Sequence, residues 1–310
     1  MKILHDVSPQ KISWVKSNKE AFEKTGNLIN NLYYPESQDE LIFLIRDLRK
    51  KDKDYTIIGY SSNTLFLPSF SVENMICTRE LNSWYESEDS IICDCGVNVS
   101  VLSKAMVDKG KCGFEGLTDL PGTIASGLYG NCGCRGCTIL SLVKEFKFLT
   151  ETGEIVTLHP EDLRAEYRST AIKRGELNGT ILEVTLYKKS GNIETLMRKA
   201  SYNHEYRKKN QPPAANNLGT TFNGGNKRTL KGVIFKLLER VMPVFALSKD
   251  VRKTYPMMLR LIGKSEFVPY VYYWNRYMFL DAKSHLLFPA YFEFLRSLYK
   301  DVRLEIEIKD

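Results

Sequence analysis

Apolar positions along this chain fall into two rhythms, and their order predicts the architecture. Between Gln38 and Lys51, Leu41, Leu44, Ile45 and Leu48 recur at intervals of three and four, which places them on one face of a helix. The strand-like run from Leu32 and the Pro35-Glu36-Ser37 helix entry precede it, and the strand Tyr55–Gly59 follows, giving a β-α-β unit. From Asn74 to Tyr187 short runs of strand length take over: Met75–Thr78, Ser90–Cys95, Val143–Leu149, Ile155–Leu158 and Thr180–Leu186, with one helix over Val99–Lys109. Thr152-Gly153-Glu154 reads as a hairpin turn, and Gly191-Asn192 marks the next boundary. Beyond about residue 200 the pattern predicts a helix over Leu230–Val241, an aromatic core strand over Tyr270–Leu280, a helix over Pro289–Tyr299 and a closing strand over Val302–Ile308. The first 30 residues are polar and mixed, with a helical pattern from Ser17 to Lys24.

Two interruptions carry the chemistry. Residues 113–136, GFEGLTDLPGTIASGLYGNCGCRG, crowd glycines and other small side chains together, and an earlier loop, Gly59-Tyr60-Ser61-Ser62-Asn63, follows the strand at Tyr55. Small residues let backbone N–H groups approach a ligand, and such groups bind phosphate oxygens. Two such loops suggest one large nucleotide cofactor.

Composition narrows the partners. A chain of 310 residues has room for two or three cores, and 43% hydrophobic with 26% charged residues is ordinary for a globular protein. The net charge of +7 is dispersed among 37 acidic residues; the densest basic patches, Arg46–Lys53 and Arg207–Lys209, read as a solvated helix face and a loop patch. That argues against nucleic acid and suits an anionic nucleotide ligand. No apolar run reaches the ~18 residues of a membrane span, and the opening residues lack the apolar stretch of a signal peptide. A cytoplasmic protein is the expectation, and seven cysteines, an odd number, fit a reducing compartment. Cys132, Cys134 and Cys137, with Cys93 and Cys95 upstream, have metal-like spacing, but cysteine is also simply small, and the expectation is no metal.

Six islands in order resemble a known family: IGYSSN at 58–63, LPGTIASG at 120–127, NCGCRG at 131–136, EYRST at 166–170, LGTTF at 218–222 and LEIEI at 304–308. They are similar to the motifs of the UDP-N-acetylenolpyruvoylglucosamine reductase (MurB) family. The resemblance implies an α+β fold: a two-subdomain PCMH-type FAD-binding module of the vanillyl-alcohol-oxidase kind, over 1–78 and 79–195, plus a C-terminal substrate domain over 196–310. It implies FAD-dependent, NADPH-driven reduction of a UDP-N-acetylglucosamine enolpyruvyl ether in peptidoglycan or surface-polysaccharide synthesis, by a monomer without nucleic-acid or membrane partners. An FAD-linked oxidase on the same fold, or a non-catalytic flavin binder, is the alternative.

The resemblance also distributes roles. FAD falls to Gly59, Tyr60, Ser61, Ser62, Asn63 and Thr64 of the first loop, to Pro121, Gly122, Thr123, Ala125, Ser126 and Gly127 of the second, and to Asn131, Gly133 and Ile181. Arg168 matches the arginine that holds the substrate carboxylate, with Tyr167 beside it. Thr220 stands where the family has its proton-donating serine, with Thr221 a competing hydroxyl and Asn223 nearby. Glu307 matches the C-terminal glutamate, with Glu305 two residues away on what alternation would make the same strand face. The chain departs from the pattern at Tyr60 and Ser61, which replace glycines, and at Asn223, Gly224 and Gly225, so the cofactor region is better kept than the substrate region.

Overall fold

The computed structural model describes residues 2–3, 28–67, 69–211, 218–246, 250–272, 277–278 and 284–309. The expected helix over Ser17–Lys24 and residues 273–276 and 279–280 of the expected aromatic strand lie outside these residues. The described residues divide into two compact units: those within 2–3, 29–61 and 72–207 form the first, and Leu28 with those within 62–71 and from 208 onward the second.

In the first unit, the helix Gln38–Lys50 forms where the three-four rhythm placed it. The Ser37 hydroxyl accepts the Glu40 N–H at 3.2 Å, a cap of the kind that contributes about 1 kcal/mol, while Asp39 and Glu40 open the helix and Arg49 and Lys50 close it, each sign facing the opposite end of the dipole. Its apolar face packs between two sheets, touching Tyr33 and Ile76 of one and Leu149 and Leu182 of the other. The first sheet has the strand order Lys2–Ile3, Leu28–Tyr34, Ser71–Cys77, Tyr55–Ile58, the last pair parallel. The two strands flanking the helix in sequence are therefore separated in space by Ser71–Cys77, which begins earlier than its apolar run because its first three residues are partly or fully exposed.

The second sheet is antiparallel, ordered Ile155–Leu158, Val143–Thr150, Gly179–Tyr187, Ser90–Asp94, Trp84–Glu86. The turn at Thr152-Gly153-Glu154 is where the sequence put it, with Gly153 at φ 86°. Arg46 and Arg49 are not merely solvated: their guanidinium groups donate to the Gly153 and Thr150 carbonyls at 2.5 and 2.6 Å and tie the helix to this hairpin. The helices Val99–Asp108 and Ile193–Asn210 pack residues into the core of this sheet. The second of these contains Arg207–Lys209, placing that patch in a helical turn and not in a loop; it buries only Leu196 and Asn203, too thin an apolar signal to read in advance.

The second unit is built on the helices Leu230–Phe245, Val251–Leu261 and Ser284–Leu298, and its core is aromatic: Phe222 stacks on Phe288 and Phe292 at 5.6 and 5.5 Å between ring centroids. The aromatic run is not one strand but two short antiparallel pieces, Val271–Tyr272 and Tyr277–Met278. The closing segment is likewise split: Arg303–Leu304 pairs with Phe222–Asn223, and Glu307–Lys309 pairs in parallel with Thr64–Phe66.

Candidate functional site

The parallel strand Tyr55–Ile58 ends in the first loop, and the backbone there turns sharply: Ser61 takes φ 48°, a left-handed conformation costly for a side-chain-bearing residue. Ser61 is buried and its hydroxyl has no protein partner. Gly59 makes room for a neighbour: a Cβ there would lie 2.7 Å from Cγ2 of Thr123. The two loops proposed from sequence thus touch, glycine against threonine.

The second loop differs from its sequence reading. Its small residues make a short helix, Ile124–Tyr129, capped by Thr123, whose hydroxyl accepts the Ser126 N–H at 3.1 Å while the Ser126 hydroxyl accepts the Thr123 N–H at 2.9 Å. The Ile124 and Ala125 N–H groups donate to Val97 and Cys95 carbonyls at 2.8 and 3.1 Å. These amides are consumed by the protein, so the small residues serve close packing more than open amides. Gly127 follows the same logic, since a Cβ would meet Ile139 at 2.2 Å and Cys132 Sγ at 2.8 Å, and Gly133 would strike the Cys137 carbonyl at 2.6 Å. Gly122, at φ 120°, keeps the conformational role of glycine, and Pro121 beside it is exposed. Ile181 is a core residue of the second sheet.

Beyond the helix, Asn131 is again left-handed, at φ 45°. Its amide nitrogen donates to the Glu166 carbonyl at 2.7 Å, but its Oδ1 is buried without a partner. The turn Glu166–Ser169 presents Tyr167, exposed, and Arg168, at φ 55°. The Arg168 guanidinium donates to the Asn131 and Gly133 carbonyls at 3.1 and 2.6 Å, and lies 5.2 Å from the Tyr167 ring. Arg168 therefore clamps the loop after the short helix, which its motif did not reveal; two of its five N–H donors are committed there.

The cysteines are thiols in tight places. Burial pushes Cys93, Cys95 and Cys132 up to about 12, for Cys132 against the lowering effect of Arg168. Such groups stay protonated at neutral pH and are poor nucleophiles. Among the described residues there is no cluster of three or more His, Cys, Asp or Glu side chains able to hold a metal.

In the second unit, the remaining candidates gather around the split closing strand. Glu307 sits in register with Thr64, and its N–H donates to the Asn63 carbonyl at 2.9 Å; Asn63 returns a side-chain bond to the Glu305 carbonyl at 3.0 Å. The Glu305 N–H donates to the Thr221 carbonyl at 2.9 Å. Glu305 falls in the break between the two strand pieces, so strand alternation does not put it on one face with Glu307. Thr221 is buried, whereas Thr220 and Ser62 are half-exposed. Asn223 accepts the Gly224 N–H at 2.6 Å. Sequence reasoning missed Asp301, whose carboxylate accepts the N–H groups of Gly225, Asn226 and Lys227 at 3.0 to 3.1 Å. The adjacent glycines 224 and 225, both at positive φ, were the available signal for such a nest.

Residues 30–159 match the family described as FAD binding domain. The matched segment contains both candidate loops, so the class the fold and site define is that of proteins with an FAD binding domain over this part of the chain. A UDP-N-acetylenolpyruvoylglucosamine reductase of Clostridium kluyveri is 28% identical over 200 residues, covering 64% of this chain and 65% of that protein, so the match spans just under two thirds of the relative. One from Fusobacterium nucleatum is 27% identical over 64% of this chain and 69% of its own length. The crystal structure of the Thermus caldophilus enzyme of that name superposes with a TM-score of 0.63, at 20% identity, over 90% of this chain and 92% of the other, which establishes the fold. The chain is thus similar to UDP-N-acetylenolpyruvoylglucosamine reductases over 64% of its length and shares the α+β fold of the Thermus caldophilus enzyme, the architecture its motifs implied.

Proposed function

We propose that this protein is a cytoplasmic, monomeric flavoenzyme that uses NADPH to reduce the enolpyruvyl ether of UDP-N-acetylglucosamine, in the synthesis of peptidoglycan or a related polysaccharide precursor. One observation carries the cofactor reading: Ser61 Oγ and Asn131 Oδ1 are buried polar atoms without protein partners, each on a left-handed residue of a candidate loop. Buried polar groups are nearly always satisfied, so a bound polar ligand is the natural completion. The donor and acceptor chemistry fits FAD, with Gly59, Tyr60, Ser61 and Gly122 lining it in the first unit. The flavin supplies reversible hydride transfer when bound.

The protein's own groups would do the rest. Hydride addition to an enolpyruvyl group builds negative charge toward its carboxylate, which calls for a fixed cation and a proton source. Arg168, held by two carbonyls and always charged, is assigned the carboxylate, with Tyr167 alongside. Thr220 is assigned the proton, a reading supported by the burial of its competitor Thr221. Glu307, in register with Thr64, is assigned the role of the family's C-terminal glutamate, as its motif implied.

The test separates the half-reactions. Protein reconstituted with FAD should be bleached anaerobically by NADPH and reoxidised by the enolpyruvyl nucleotide sugar in stopped flow. Thr220→Ala should leave bleaching unchanged and slow reoxidation on the order of 10²-fold or more, while Thr220→Ser restores it. Wild-type-rate reoxidation of Thr220→Ala removes Thr220 from the reaction; bleaching without any reoxidation by this substrate removes the substrate assignment.

A further inference from the structure

The helix Leu230–Phe245 turns an apolar face outward. Gly232, Phe235 and Met242 are its buried contacts, and a Cβ on Gly232 would lie 1.9 Å from the Leu298 carbonyl, so the helix is held tightly on that side. At 3.6 residues per turn, Leu230, Ile234, Leu237, Val241, Val244 and Phe245 fall within a stripe of roughly 120° on the other side. They are left in water: Leu230 is 79% exposed, Val244 72% and Phe245 70%, with the other three at 44 to 53%. An amphipathic helix normally buries such a stripe. Contiguous exposed apolar surface of this kind marks an interaction site.

The charges around the stripe indicate the partner. Exposed Lys231 borders one edge and exposed Arg240 the other, with Lys227 and Arg228 exposed just before the helix. The helix's one acidic residue, Glu239, lies away from the stripe and is paired with Lys236 at 2.8 Å. A second copy of this chain would bring basic edge against basic edge. An anionic lipid surface meets both requirements, accepting the apolar side chains among its acyl chains and the basic edges among its headgroups. No described helix is long and apolar enough to cross a membrane, so the mode is attachment at the surface.

We propose that the outward face of helix Leu230–Phe245 docks this protein on an anionic membrane surface, through the Leu230–Phe245 stripe and the Lys231 and Arg240 edges. This interaction is independent of the flavin reading. Co-sedimentation with vesicles of phosphatidylglycerol and phosphatidylcholine in equal parts tests it. The protein should bind these at low salt, bind pure phosphatidylcholine less, and dissociate as salt is raised. Lys231→Gln and Arg240→Gln should each weaken partitioning about fivefold. Ile234→Glu combined with Val241→Glu should abolish it; both sites face solvent, and an unchanged circular dichroism spectrum verifies the fold. Three results overturn the proposal: wild-type protein that stays in the supernatant with anionic vesicles, a double glutamate variant that binds as well as wild type, or a concentration-dependent dimer in analytical ultracentrifugation that the double variant dissolves, which would make the stripe a contact between copies.

Discussion

At the scale of single residues, the structure separates side chains that hold the protein from side chains free to act. Asp301 belongs to the first kind. Burial alone would raise its pKa, but the Lys227, Asn226 and Gly225 N–H groups bring its carboxyl below the usual aspartate range. A carboxyl depressed on folding contributes stability that is present above the unfolded pKa of about 3.9 and lost as pH falls through the lower folded value. Asp301→Ala should therefore lower the melting temperature at pH 7, and the gap between variant and wild type should close as the pH is taken below about 4; a gap that persists unchanged in acid would show that lost packing, not charge, is responsible. Arg168 spans both kinds. Its motif announced a charge for a ligand, and its two carbonyl bonds add a structural duty invisible in EYRST, because both partners lie more than thirty residues earlier in the chain.

At the scale of elements, the short helix Ile124–Tyr129 shows how composition can be read correctly as special and incorrectly as open. Small residues at 121–127 suggested a loop with free amides, yet small size there lets a capped helix sit against Cys95, Val97, Cys132 and Ile139. Thr123→Ala removes the capping bond and should cost about 1 kcal/mol in urea denaturation. It should also change the response at Gly59: Gly59→Ala forces a Cβ to 2.7 Å from the Thr123 methyl in the wild type, and that obstacle disappears in the Thr123→Ala background. The double variant should be more stable than the sum of the single effects implies, and strict additivity would mean the two loops do not press on one another. The helix Gln38–Lys50, by contrast, was legible in its apolar face and its entry at Ser37, although the bonds of Arg46 and Arg49 to the hairpin were not.

At the scale of the molecule, two compact units divide the candidates: the first loop as far as Ser61, the short helix, Asn131 and Arg168 in one, and Ser62 to Thr64, Thr220, Asn223 and Glu307 in the other. If FAD satisfies Ser61 and Asn131, it binds the folded first unit and not the unfolded chain. Free FAD at 100 times its dissociation constant should then stabilise that unit by about 2.7 kcal/mol. Differential scanning calorimetry of the apoprotein with added FAD should show a melting transition moving upward with FAD concentration, and a scan that does not move would exclude the cofactor from this site.

The sequence by itself determined the helix Gln38–Lys50, most strands of the antiparallel sheet, the Gly153 hairpin and the family resemblance, because each rests on local periodicity, turn chemistry or a short motif carried within a few residues. Tertiary structure alone decided what long-range contact supplies. It showed that Gly59 makes room for Thr123, that the amides at 124 and 125 are already taken, that Arg168 holds the loop at 131–133, that the closing strand changes partners between Leu304 and Glu307, and that helix Leu230–Phe245 leaves an apolar stripe in water. Periodicity says that a residue has an apolar side; only the packed neighbours determine whether that side is covered.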